Sequence, residues 1–265
     1  MMKRRVITII NCTDLDMDDP SNPHYLSIHK RDRKRTDITV TRAELYLLPV
    51  QTRVPLKFGP ETLTSVTCAR VRVHVRDQFG THASGWGEAP LSVQWAWPAE
   101  LRVAERHDAM VQFCKILAPS LVDFGVWGHP LEIGHEFIQR ALPALRQQFN
   151  SARNPGQGIP HLASLVCLSP LDIAIHDAYG QLHKVDIYET YNADWLSGDL
   201  SRHLEPEEGS DIDFRGAYPQ DFLVQPPARR MPAWHLVGGL DPLDASEDSG
   251  PRIDDGVPTI LSDWI

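Results

Sequence analysis

The sharpest hydrophobic pattern in the chain is "SVTCARVRVHVRD", residues 65–77. Ala69, Val71, Val73 and Val75 alternate with Arg70, Arg72, His74 and Arg76, so one face is apolar and the other is charged. This period of two predicts a half-buried strand. Upstream, "DITVTRAELYLLPV" (37–50) is rich in β-branched residues and roughly alternating. Downstream, "DQFG" (77–80) reads as a turn and "THASGWGEAPL" (81–91) as a returning strand. Three such strands predict an antiparallel meander whose apolar face needs a cover. The connection 51–64 is longer than a hairpin requires and is expected to be a loop, a kind of segment that often carries function.

The period then changes to that of helices. Residues 99–118 place Val103, His107, Met110, Cys114 and Leu117 on one stripe. Pro130 opens a second helix, with Ile133, Phe137 and Leu142, that runs to about Phe149, and "NSARNPGQGIP" (150–160) is a loop. In "SPLDIAIHDAYGQ" (169–181), Ser169 fits an N-cap and Pro170 the first helical position. Leu171, Ala174, Ile175, Ala178 and Leu182 then form one apolar face. Asp172, His176 and Asp177 lie off that face and admit three readings: solvent decoration, a metal site, or part of a family pattern. A fourth helix is read through 188–204. Residues 205–230 form an acidic, Pro-rich connector, "MPAWHLVGG" (231–239) a short buried strand, and "TILSDWI" the start of a helix. The order points to an α+β unit followed by the opening of something else.

Composition narrows the function classes. Apolar residues make up 42% of the 265, enough for a real core. The net charge of −9 resides in 204–265, which carries 13 acidic and 4 basic side chains. Such a tail disfavours nucleic acid as a partner, since that needs a basic footprint. No apolar run approaches the ~18 residues of a membrane helix, and "VITII" near the N-terminus is too short for a signal peptide. A cytoplasmic protein without a membrane partner is therefore expected. Cys12, Cys68, Cys114 and Cys167 are scattered without a C-x-x-C and read as reduced, buried thiols. Residues 1–36 read as a flexible extension. Within it "DLDMDDP" imitates a calcium loop but has Asp19 where Gly is needed and Tyr25 where Glu is needed. His129 and His135 do not form H-E-x-x-H, and "LVGGLD" lacks the G-x-G-x-x-G of a dinucleotide site.

Four stretches in order, "PLKFG" (55–59), "GWGEAPL" (85–91), "LDIAIHDAYGQ" (171–181) and "MPAWHLVGG" (231–239), resemble the enolase superfamily, in its mandelate racemase and muconate lactonizing enzyme branch. The chain departs from that pattern at "IYETYN" (187–192), where a Leu-Leu-Gly-like ending is usual. The resemblance implies an N-terminal capping domain (37–204), built from a three-stranded antiparallel meander and a helical bundle, followed by a (β/α) barrel. It also implies isomerase or lyase chemistry of the racemase, cycloisomerase or acid-sugar dehydratase type. There a base removes the proton α to a carboxylate while Mg2+ stabilises the enediolate. Substrates of complete relatives would be small carboxylates, acid sugars or hydroxy acids.

In such a cap the segments matching 51–59 and 91–97 close over the barrel mouth. Arg53 and Lys57 could meet a carboxylate there, and Phe58, Trp95 and Trp97 could exclude water. The alternative is that these aromatics pack against the helices. Gly87, Glu88, Asp172, Asp177 and Gly180 are motif positions with structural roles. No catalytic or metal-ligating residue is carried over, because the family's ligands and acid/base groups sit on later barrel strands. Residues 231–265 are read as an incomplete first β/α unit. The expectation is a truncated relative, not catalytic alone, that binds no Mg2+ itself. The runner-up is a non-enzymatic module that forms a homo-oligomer or docks onto a separately encoded barrel.

Overall fold

A computed structural model describes residues 33–58, 61–98, 100–232, 238, 240–247 and 255–265. The meander is present, as strands β1 (Ile38–Phe58), β2 (Glu61–Asp77) and β3 (His82–Pro90), antiparallel in the order β1-β2-β3. Ala69, Val71, Val73 and Val75 are buried, as the alternation requires. β1 changes phase part-way. Ile38 and Val40 point inward, and so do Ala43 and Leu45, because the register slips between Val40 and Arg42. This irregularity inserts one residue, Thr41, and returns the following apolar positions to the core face.

The segment 51–64 is not a loop. β1 and β2 continue past Gln51↔Ser65 and, after a second register shift, pair again at Leu56↔Leu63, Lys57↔Thr62 and Phe58↔Glu61. The polar, Pro-containing sequence hid a long hairpin arm, since its strands lack the burial that would impose an alternating pattern.

Among the described residues the α-helices are α1 (Val93–Ala96), α2 (Val103–Phe124), α3 (Pro130–Glu136), α4 (Leu142–Ser151) and α5 (His161–His183); α2 and α5 pack on the sheet, and the others pack on them. A π turn, Phe137–Ala141, joins α3 to α4, so the path expected from Pro130 to about Phe149 is continuous in outline. α5 begins nine residues earlier than the motif suggests, and Ser169 and Pro170 lie inside it rather than at its start. A proline at position 170 removes the donor that would bond the Val166 carbonyl. The Ser169 hydroxyl donates to that same oxygen at 2.9 Å, which offsets the loss. Among the described helices α5 is also long and apolar enough to span a bilayer, but its apolar face lies against β2, β3 and α2.

No helix spans 188–204. The segment holds only short 3-10 turns, Ile187–Thr190 and Leu200–Arg202. Asp186, Asn192 and Asp199 each accept a hydrogen bond from a backbone N–H two residues on, a local alternative to helix. Residues 205–230 are irregular apart from a 3-10 turn at Pro219–Phe222. The strand expected in 231–239 falls mostly outside the described residues, and "TILSDWI" forms a 3-10 turn, Leu261–Asp263. The expected extension 1–36 also lies outside them, save its last four residues. These are tied to the fold where His183 bonds the Thr36 carbonyl at 2.9 Å and Lys34 bonds the Ala193 carbonyl. Cys68, Cys114 and Cys167 are buried and free; Cys12 lies outside the described residues.

Candidate functional site

The two motifs carried by β3 and α5 meet. β3 crosses α5 at Gly85 and Gly87, where no side chain would fit. A Cβ on Gly85 would sit 2.7 Å from the Ala178 Cα, and one on Gly87 would sit 2.7 Å from the Ala174 nitrogen. The glycines of the strand and the alanines of the helix are thus two sides of one close approach. Asp177 finishes the contact by accepting the Trp86 N–H at 2.8 Å, so this β3 backbone donor is satisfied by the helix. Glu88 pairs with Arg70 across β2–β3 on the outer face, at 2.5 Å. Asp172 lies against Gly134 of α3, and its carbonyl is 2.9 Å from His176 Nδ1. Gly180 accepts the Val185 N–H that closes the end of α5. Of Asp172, His176 and Asp177, it is Asp177 that bonds the β3 backbone. No group of three or more His, Cys, Asp or Glu side chains able to hold a metal ion occurs among the described residues. The donor set for a divalent cation is therefore not met there.

The five loop candidates separate. Arg53, on the hairpin arm, is engaged. Its Nε and Nη2 both bond the Asp255 carboxylate at 2.7 Å, Nη1 bonds the Pro258 carbonyl at 2.9 Å, and Nη2 also meets the Val257 carbonyl. This is the two-pronged geometry by which a guanidinium grips any carboxylate. The Arg53 bonds hold the Asp255 carboxyl at about 2. Lys57 is exposed, and the Phe58 side chain lies outside the described residues. Trp95 is half exposed, whereas Trp97 is buried in the core.

Two buried polar residues were not singled out by sequence reasoning as site residues. Arg106, 1% exposed in the first turns of α2, donates to the Trp97 carbonyl at 2.5 Å and to Glu61 at the end of the arm. The signal was available: Arg106, Met110, Phe113 and Leu117 follow helical spacing, so a charge stands on an apolar stripe. His129 is fully buried at the N-terminus of α3. Its Nδ1 accepts the Leu131 N–H, and Nε2 lies 2.9 Å from the Thr190 hydroxyl, which in turn donates to the Ile187 carbonyl. That chain of bonds calls for a neutral ring with its proton on Nε2. Burial, with His176 and His183 nearby, lowers the His129 pKa to about 3. Beside this cluster, burial raises the Asp37 carboxyl to about 6.

No family model matches the chain, and no curated protein matches it. Solved structures do. The similar ones are enolase-superfamily proteins. The L-Ala-D/L-Glu epimerase of Bacillus subtilis, in a substrate-liganded complex, is 21% identical with a TM-score of 0.37, over 58% of this chain and 35% of its own. A dipeptide epimerase from Enterococcus faecalis, complexed with Mg and a dipeptide, is 12% identical with a TM-score of 0.34 over the same shares. An enolase from Bradyrhizobium, complexed with magnesium and mandelic acid, is 18% identical with a TM-score of 0.33, over 57% of this chain and 34% of its own. The chain thus spans about a third of the length of these proteins.

Proposed function

We propose that residues 37–204 are a capping unit of the enolase type, serving an enzyme that removes a proton α to a carboxylate with the help of Mg2+. The observation that carries this reading is the interlock of Gly85 and Gly87 with Ala174, Ala178 and Asp177. The strand motif and the helix motif, 80-odd residues apart, turn out to be one structural device, and both were the basis of the family resemblance. On this reading the cap selects substrate rather than transforming it. Arg53 meets the substrate carboxylate, Lys57 adds positive charge, and Trp95 helps to exclude water. Trp97 supports the turn from inside. The acid/base groups and the metal ligands belong to a barrel outside the described residues, whether on this polypeptide or on another.

Deuterium exchange tests this. The chain is incubated with Mg2+ in D2O with mandelate, acid sugars and dipeptides, and α-proton loss is followed by NMR. The expected result is no exchange by this chain alone, and exchange by it would overturn the reading. The carboxylate role has its own test. In an Asp255→Asn variant, which removes the carboxylate opposite Nε and Nη2 and leaves the bonds to the Val257 and Pro258 carbonyls, mandelate should shift the Arg53 Nε–H resonance. No shift at millimolar mandelate would remove Arg53 from the substrate-facing set.

The runner-up, a docking module, has one observation in its favour. Trp86 and Ile173, each 46% exposed, flank a shallow depression of about 390 Å³ on the outer side of β3 and α5.

A further inference from the structure

We infer that Arg106 is a positioning residue that joins the hairpin arm and the turn 93–97 into a single moving part. The guanidinium is 1% exposed and must be satisfied internally. Its partners are not on its own helix: they are the carbonyls of two buried residues, Val93 and Trp97, and the carboxylate of Glu61. Nη1 bonds the Trp97 carbonyl at 2.5 Å and reaches the Val93 carbonyl at 3.5 Å, so it holds both ends of the short helix α1. Nη2 bonds and ion-pairs with Glu61, the residue that faces Phe58 where the arm ends. The two segments are far apart in sequence, and this planar fork bonds both of them.

The fork matters because it is rigid. Two nitrogens of one guanidinium keep a fixed separation, so a displacement of Glu61 rotates the group and disturbs its hold on the Trp97 carbonyl. Neither segment can retreat alone without stranding a buried charge or a buried acceptor. Arg106 Nε and Glu61 Oε2 already lack partners among the described residues, so the cluster has little slack. That the coupled part faces a substrate rests on the capping reading; the coupling itself does not.

Hydrogen exchange on the full chain tests the coupling without any substrate. Glu61→Gln keeps the shape of the side chain and removes its charge. It should speed amide exchange at residues 93–97 at least tenfold, while 69–75 and 109–121 keep wild-type protection. Unchanged exchange at 93–97 would overturn the proposal. Lys57→Ala, on the same arm but exposed and not bonded to Arg106, should leave 93–97 untouched. An equal effect from it would mean general loosening and would also overturn the proposal. Arg106→Lys retains charge but not the fork, so it should restore protection to one segment only; protection of both would refute the role of the fork. Failure of the carboxylate test at Arg53 would leave each of these outcomes unchanged, so the two ideas fail separately.

Discussion

The β3–α5 contact and the hairpin arm are held by opposite means. At the first, backbone lies on backbone: two glycines and two alanines bring strand and helix into direct contact, and one carboxylate bonds across it. At the second, the chain is tethered by a few charged side chains, Arg53 to Asp255 near one end and Glu61 to Arg106 near the other. Close packing is short-ranged and tolerates no added atom. Polar tethers are long-sided and can be exchanged for other partners of like charge. On the proposed capping reading the two serve different ends, one region fixing the shape and the other free to answer a ligand.

The largest effect should come from breaking the packed region. Gly87→Ala places a methyl against the Ala174 nitrogen and the Pro170 carbonyl, and neither can move without shifting α5. Overpacking of this kind destabilises by about 1–3 kcal/mol, and the upper end is expected where the obstacle is backbone. Urea unfolding should show a midpoint lowered by that free energy divided by the slope m. A wild-type midpoint would mean that strand and helix are not in register as described.

A second, smaller effect concerns pH. His129 is neutral in the fold, with its pKa lowered from 6.5 to about 3, so the unfolded chain binds the extra proton first. Stability is therefore full above pH 6.5 and falls as pH drops below it, by about 1.4 kcal/mol per unit for one such group. His183 and His74, also lowered mainly by burial, act in the same direction. Asp37 acts oppositely. Its carboxyl is raised from 3.8 to about 6, so between those values the fold holds its proton more tightly and acid favours folding. The two terms largely cancel between about pH 6 and 4. Asp37→Asn should remove the compensation and steepen the loss between pH 6 and 4, and a slope equal to wild type would contradict the assignment. His129 thus belongs with the packed region, a polar group whose every bond is already committed.

The difference between the two regions also explains what could be read in advance. The meander was legible because β2 faces a core on one side and solvent on the other, whereas the interlock showed in the sequence only as two separate motifs, because their meeting is a tertiary contact. Helix starts were less so: Pro170 suggested an N-terminus, yet Ser169 allowed the helix to run through it. The arm was misread as a loop because paired strands away from a core need no alternation. Arg53 was picked out by charge, but its partner lies 202 residues away on a segment with no pattern of its own. Arg106 left a trace, a cation on an apolar stripe, that by itself does not say what it binds.

The smallest global effect, and the one that divides the regions most cleanly, should follow Arg53→Ala. Its side chain is 30% exposed and that of Asp255 40%, so solvent screens the pair, and its loss should leave overall stability near wild type. The local consequence is different. Arg53 is bonded at once to Asp255, Val257 and Pro258, just ahead of buried Ile260 and of the backbone bonds from Leu261 and Ser262 to the Pro242 and Leu243 carbonyls. Without it, residues 255–265 should be cut faster by protease while the unfolding midpoint stays near wild type. A midpoint lowered as far as in Gly87→Ala would place the arm in the packed class after all. Unchanged proteolysis would mean that the tail is held by Ile260 and its neighbours rather than by charge. The split outcome, a loosened tail on an intact body, is what a replaceable tether predicts. It is also the condition under which an incoming carboxylate could take the place of Asp255.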